Sequence, residues 1–414
     1  MRRQVTSRVN HNFVSQGSGR IKVAESNIGG IVKILHTSDW HLGRRLHGVK
    51  LIEAQRLFLE HLVEVIAEKE VDVLLVAGDI FDRGYNPDLD AQELFDEAIT
   101  KLSGMVTMIG ISGNHDQPRR LSYGARLFRR NGIHIFTSLD ELLSPVVLDI
   151  EGEQVAFYGI PYLDPNGVSF RLAELGILEP DTNLAPTDEG VLSVVTDAIH
   201  AHAKSEKYDN VVVLSHAWFV GGEKAGSESD TVGGLGPAKL SNVTRFAYAA
   251  LGHLHSPQTL AQNVRYSGSP VFYSFTERHR AKSSWLVEIV GGDVSIEEVP
   301  VPLYRRLTEI TGTVEECLSG KYAEFKEDFI KVKLTKMEPH AGDKLQAYFP
   351  NFVTLDPPRL NSEKVDWEKL DAENPVDVCC AAFEFNTGVK PSKKQKSQFE
   401  EAYALDAELL EVEQ

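Results

Sequence analysis

At 414 residues and 42% hydrophobic content, the chain has material for at least one full core, and its length fits two or three domains. The 60 acidic against 43 basic residues give a formal charge of −17, which repels a polyanion at long range and excludes a protein that coats nucleic acid by charge alone. No apolar run reaches the roughly 18 residues a bilayer crossing needs, and Cys317, Cys379 and Cys380 make neither a disulfide framework nor a CxxC metal pattern, so a cytoplasmic chain with reduced thiols is expected.

Residues 1–31 are polar, contain Gly and Ser, and show no period, which predicts a disordered extension without the apolar core of a secretory signal. The regular pattern opens at "VKILHTSD". Short apolar runs rich in β-branched residues, "VKILHTS", "VDVLLVA", "VTMIGIS", "NVVVLS" and "FAYAAL", read as strands. Helical patterns separate them: Leu51, Ala54, Phe58, Leu62 and Val65 recur at three and four, as do Leu94, Phe95, Ala98, Ile99 and Leu102. Such alternation predicts a layered α/β architecture. Further on, "QVAFYGIPYL", "VRYSGSPVFYSF", "SSWLVEIV" and "VSIEEVPV" read as strands that complete the sheets in antiparallel or mixed fashion. Beyond Pro302 comes a smaller α+β segment, and the tail "KPSKKQKSQFEEAYALDAELLEVEQ" reads as a basic linker followed by an acidic helix.

Chemistry gathers at the strand ends. "SDWHLG" offers Asp39 and His41, "GDIFD" Asp79 and Asp82, "GNHD" Asn114, His115 and Asp116, "LSHAW" His216, and "LGHLH" His253 and His255. In open α/β sheets ligands bind outside the carboxyl ends of strands, so groups distant in sequence meet there. Each motif alone has an ordinary reading, as an Asx turn or a core-edge histidine, but five in succession at strand ends do not. The donor set is carboxylate, imidazole and one amide oxygen, without thiolate. It suits Mn, Fe or Zn in a water-accessible site, and its size implies two ions sharing Asp79 as a bridge. His36, His61, His134, His200 and His202 fall outside the motifs and are expected to be structural or at the surface. Arg44, Arg45, Arg83, Arg119 and Arg120 follow the motifs closely and are candidate contacts to a phosphate backbone. "GGEKAGSESDTVGGLGP" lacks GxxxxGK[ST], which excludes a P-loop and suggests a mobile loop.

Taken in order, "DWH", "GDIFD", "GNHD", "SHAW" and "GHLH" resemble the calcineurin-like metallophosphoesterase superfamily, and "TSDWHLGRRLHG", "LLVAGDIFDRGYNP" and "YSGSPVFYSFTE" resemble its SbcD branch. The resemblance implies a sandwich of mixed β-sheets flanked by helices over residues 32–302, a small α+β capping domain over 303–385, and a linker with a partner-binding helix over 386–414. It further implies one metal held by Asp39, His41, Asp79 and His255, a second held by Asp79, Asn114, His216 and His253, and His115 as the acid at the transition state, with Asp116 orienting one of these groups. The implied ions are two divalent metals, Mn2+ foremost, with Mg2+, Fe2+ or Zn2+ as alternatives. The implied reaction is exonucleolytic cleavage at duplex DNA ends and endonucleolytic cleavage of single strands and hairpins. The implied partners are DNA and an SbcC-type coiled-coil ATPase, with a homodimer inside a heterotetramer and no membrane. Two alternatives stand beside it: a phosphatase or cyclic-nucleotide phosphodiesterase of the same fold, against which the segment after Pro302 speaks, and a catalytically idle scaffold, against which the full set of candidate ligands speaks.

Overall fold

The computed structural model describes residues 30–179, 182, 184–224, 236–358, 374–387 and 390–412. Two six-stranded mixed sheets stack on one another. The first has the order Asp293–Pro300, Ser283–Val290, Val32–Thr37, Val73–Ala77, Thr107–Ile111, Ile133–Phe136, with the last four strands parallel. The second has the order Gln258–Ala261, Val264–Tyr266, Tyr248–Gly252, Asn210–His216, Glu153–Ile160, Val146–Ile150, with antiparallel strands only at its two margins.

Side-chain alternation explains the layering. Val32, Ile34, Val73, Leu75, Ile109 and Ile111 point between the sheets, where they meet Val155, Phe157, Val212, Leu214 and Tyr248. Leu35, Leu74, Val76 and Met108 point outward into helices Ile52–Lys69 and Leu89–Leu102. Helices Val168–Glu174 and Asp188–Glu206 cover the outer face of the second sheet. The strands are buried on both faces, so they read as continuous apolar runs. Each such side chain contributes about 1.5–3 kcal/mol by leaving water. The expected layered sandwich of mixed sheets flanked by helices is therefore the fold.

Beyond Pro302, three parallel strands, Leu307–Gly312, Phe329–Leu334 and Phe352–Asp356, form a separate small sheet. Helices Val314–Leu318 and Ala341–Tyr348 close its core around Cys317, Val332 and Phe349. Leu307, Phe329 and Val353 also pack against Leu46, Leu51, Tyr273 and Phe275 of the large sandwich.

Several local expectations give way. Of "VRYSGSPVFYSF" only Val264–Tyr266 is strand. Gly268 takes φ +74°, and a Cβ there would lie 2.7 Å from the nitrogen of Pro257, so the chain turns instead of extending the ladder. The basic stretch "SKKQKSQ" is not a linker from Lys393 onward, but the opening of helix Lys393–Val412. Ser392 and Gln395 make a reciprocal cap: the Gln395 amide donates to Ser392 Oγ at 3.3 Å and the Ser392 amide to Gln395 Oε1 at 2.9 Å. Helix Pro375–Thr387 runs across residue 386 and lies against this second helix, with the rings of Phe383 and Phe399 6.1 Å apart. Residues 1–29 and the Gly-rich stretch 225–235, for which disorder and mobility were expected, lie outside the described residues. Among those described, no helix is long and apolar enough to cross a membrane.

Candidate metal centre

Parallel pairing sets the carboxyl ends of the central strands side by side: Ala77 is in register with Ile111, and Gly252 with His216. The chain then turns sharply. Asp39, His41, Asp79 and His253 have φ of 53°, 42°, 51° and 97°. Such backbone costs of order 1–3 kcal/mol per residue and persists only where surrounding structure enforces it. Here the Asp39 amide donates to the Gly78 carbonyl at 3.0 Å and the His41 amide to the Asp79 carbonyl at 2.8 Å, which locks the two turns together. Gly113 is required for the close approach: a Cβ there would lie 2.1 Å from Asp79 Oδ1.

The seven candidate ligands and His115 converge. Asp79 Oδ2 lies 3.4 Å from His41 Nε2 and 3.3 Å from His216 Nε2, midway between two groups of donors. On one side His41 Nε2 faces His255 Nε2 at 3.1 Å, and donor atoms of Asp39, His41 and His255 lie within 4.8 Å of one another. On the other, Asn114 Oδ1 sits 3.0 Å from His216 Nε2 and 3.1 Å from His253 Nδ1. His216 Nδ1 donates to the Ala77 carbonyl at 2.8 Å, which turns its Nε2 toward the centre. The His115 amide donates to Asp79 Oδ1 at 2.8 Å, and its Nδ1 donates to the Asp82 carbonyl at 2.9 Å.

Electrostatics agree with a site built for cations. Burial pushes the Asp39 carboxyl up to about 7. Burial would raise Asp79 too, but His216 and His41 beside it hold it well below the usual carboxylate range. Burial alone would lower His216, yet the Asp79 carboxylate outweighs it and raises this imidazole to about 9. His41 and His253 are driven down to about 4 and about 3 by burial, so both are neutral imidazoles at neutral pH. His41 and His253 are thus already in the form that binds metal, whereas His216 and Asp39 would release protons on binding one. The two buried imidazoles of His41 and His255, their Nε2 atoms 3.1 Å apart, also fit a shared cation.

Of the arginines, Arg44 adjoins the cluster. Its Nη1 lies 3.4 Å from the His41 ring nitrogens and 3.5 Å from Asp82 Oδ1, and its guanidinium stands 5.0 Å from the Tyr273 ring centre. Arg45, Arg83, Arg119 and Arg120 are exposed; Arg45 pairs with Asp88 at 3.4 Å and Arg120 donates to the Tyr85 carbonyl at 2.6 Å. Asp116 does not touch a candidate ligand side chain. Its carboxylate accepts from the amides of Gly113, Phe81 and Ile80 at 2.9, 2.9 and 3.1 Å, which fastens the loop after Asp79 to the loop carrying Asn114.

Behind the cluster stand Asp82, which "GDIFD" already offered, and two groups that sequence reasoning did not single out, Gln55 and Tyr273. Asp82 Oδ1 reaches His41 Nδ1 at 3.5 Å and His115 Nδ1 at 3.9 Å. Gln55, on helix Ile52–Lys69, donates to the His41 carbonyl at 2.7 Å and to the Tyr273 hydroxyl at 3.2 Å. Tyr273 stacks edge-on against both His41 and His255. A polar Gln inside an apolar helical stripe was the available signal for Gln55; Tyr273 lies within "YSGSPVFYSFTE", where nothing sets its ring apart from the other aromatics.

Comparison with known proteins adds the lineage. Residues 32–257 match the family model for the calcineurin-like phosphoesterases. The D subunit of the nuclease SbcCD of Staphylococcus saprophyticus is 30% identical over 360 residues, spanning 84% of this chain and 92% of that protein. Among solved structures, a dimetal phosphatase from Danio rerio is 14% identical, with 66% of this chain and 100% of that one aligned and a TM-score of 0.39. A purple acid phosphatase from yellow lupin is 10% identical, with 66% of this chain and 52% of that one aligned and a TM-score of 0.35. With a family model matched over more than half its length and that nuclease subunit aligned over most of it, the chain belongs to the calcineurin-like phosphoesterases and, within them, to the SbcD family.

Proposed function

We propose that this chain is a metal-dependent DNA nuclease subunit that cleaves phosphodiesters at duplex ends and in single strands or hairpins, and that it works with an SbcC-type coiled-coil ATPase. The observation that carries the reading is the convergence of five strand-end motifs on Asp79 Oδ2, which lies about equally far from His41 and His216. Asp39, His41, Asp79 and His255 would hold one divalent ion, and Asp79, Asn114, His216 and His253 the other. Ions so held supply Lewis acidity toward the phosphate and make water nucleophilic near neutral pH. Mn2+ suits this mixed oxygen and nitrogen set, as do Mg2+, Fe2+ and Zn2+ to differing degrees.

The chain's own groups then do the rest. His115, its Nδ1 tied to the Asp82 carbonyl, has its orientation fixed; protonated at both nitrogens, as the imidazolium, it would give its Nε2 proton to the leaving 3′ oxygen and remain the neutral Nδ1–H tautomer. Arg44, beside His41 and over Tyr273, is suited to grip a non-bridging phosphate oxygen. Arg45, Arg83, Arg119 and Arg120 extend that contact along the backbone.

The test is cleavage of a linear duplex, a DNA hairpin and a p-nitrophenyl phosphodiester in Mn2+, by the parent chain and by His115→Ala. DNA cleavage that falls by about 10²–10⁴ in the variant, with Mn2+ binding retained, is the expected result. Hydrolysis of the small ester with no cleavage of DNA, even with an SbcC-type partner and ATP, would instead assign a phosphodiesterase of the same fold.

A further inference from the structure

Among the described residues, Lys282 is the buried lysine, at 6% exposure. Removing an ammonium from water costs several kcal/mol unless its donors are all met. Here they are: Nζ donates to Glu277 Oε2 at 2.5 Å, to Ser269 Oγ at 2.8 Å and to the His255 carbonyl at 2.8 Å. Glu277 is itself fully buried, and its Oε2 also accepts from the Tyr273 amide at 3.5 Å. The Ser269 amide donates to the same His255 carbonyl at 3.2 Å. One ammonium thus gathers the end of "GHLH", the "SGSP" turn and the "YSFTE" turn around the backbone of a single residue. That residue's imidazole faces His41, and Tyr273 stacks on both rings.

A buried ion pair is weak evidence for stability, because apolar side chains of similar volume often serve as well or better. Its placement directly behind His255 points to geometry. We infer that Lys282, neutralised by Glu277, is a positioning residue of the metal centre: it fixes the His255 backbone so that the imidazole keeps its spacing from His41 and Asp39. This rests on the reading that His255 is a ligand. The same segment meets the small domain through Phe275, packed with Leu307, Phe329 and Val353, and through Arg278, 3.8 Å from Glu309, so the seating of that domain bears on the same strut.

The experiment titrates Mn2+ alone into the full-length chain and its variants, by calorimetry and by the electron-paramagnetic signature of a coupled ion pair. Lys282→Met/Glu277→Leu removes both charges while keeping bulk, so thermal stability should stay near that of the parent. One of the two ions should nevertheless bind at least about tenfold more weakly, as loss of an outer orienting partner does in metal sites, and the coupled signal should fade. Glu277→Gln keeps the shape and an oxygen for Nζ but leaves the buried ammonium without its counter-charge, so where it remains folded it should weaken that same ion at least about threefold. Parent-like affinity for both ions in these variants would reduce the pair to a structural element and overturn the inference. His255→Ala separates the two readings. Should it still bind two ions as the parent does, the ligand assignment itself falls; should it lose one while the Lys282 variants lose none, only the positioning role falls.

Discussion

His36 shows how a histidine outside the motifs earns a physical account. It is fully buried between the sheets, its Nδ1 lies 2.9 Å from the Tyr248 hydroxyl, and burial drives it from 6.5 down to about 3. The unfolded chain therefore takes up a proton near pH 6.5 that the folded chain refuses until about 3. Stability from this group is complete above pH 6.5 and is lost as pH falls toward 3, at about 1.4 kcal/mol per unit, or about 2 kcal/mol at pH 5. His41 and His253 slope the same way in metal-free protein, so the test is a difference. In chelator, urea unfolding of His36→Asn should lose less stability between pH 7 and pH 5 than the parent, by about 2 kcal/mol. Equal losses would mean that His36 is protonated in the fold. The sequence left this residue as structural or at the surface, since it falls outside the motifs, and its Tyr248 partner, 212 residues away, was not legible.

At the scale of elements, what the sequence disclosed follows from which constraint each segment obeys. Strands buried on both faces, such as Val73–Ala77, must be apolar throughout, and the motif residues must follow them, so both were readable. Helix Leu89–Leu102 buries Ala91, Leu94, Phe95, Ala98, Ile99 and Leu102, a stripe that period alone exposes. Helix Asp188–Glu206 went unread although Thr187 caps the Gly190 amide, because Thr, Ser and His dilute its stripe. The "SKKQ" cap was overlooked for a similar reason: a lysine run suggests a solvated linker, while lysine is also a good helix former. Loops were the least legible, since their hydrogen bonds run to distant partners. Asp116 is the sharpest case. Its carboxyl, raised to about 6 by burial and by nearby Asp79, meets three backbone amides of two separate loops. Asp116→Ala would strand those buried donors at about 1–3 kcal/mol each. A loss of about 3 kcal/mol or more in denaturant unfolding, with weaker Mn2+ binding, is expected. A loss below about 1 kcal/mol would show that water replaces the carboxylate without penalty.

For the whole molecule, a charge of −17 and a polyanionic substrate are opposed, and the opposition is resolved locally. Two buried carboxylates, Asp39 and Asp79, sit at the centre, where bound cations would reverse their sign for an approaching phosphate. Near that centre the exposed positive charge is carried by Arg45 and Arg83 and, after "GNHD", by Arg119, Arg120, Arg126, Arg129 and Arg130. Arg45 is tied to Asp88, whereas Arg119 and Arg120 stand exposed beside the loop that bears His115. If only a few phosphates are neutralised by side chains, binding must depend shallowly on salt, since each neutralised phosphate contributes a slope of about −0.9 in log affinity against log salt on duplex DNA. Measured in Ca2+ to hold cleavage back, Arg119→Ala/Arg120→Ala should reduce the magnitude of that slope by about 2, one for each phosphate no longer neutralised. The loss of affinity should be alike for unrelated duplex sequences, because backbone contacts carry no base information. An unchanged slope would remove these two arginines from the DNA path and leave Arg44, Arg45, Arg83 and the bound cations to hold the backbone. The remaining affinity would then have to be supplied by a partner subunit, which is what so acidic a nuclease subunit would require.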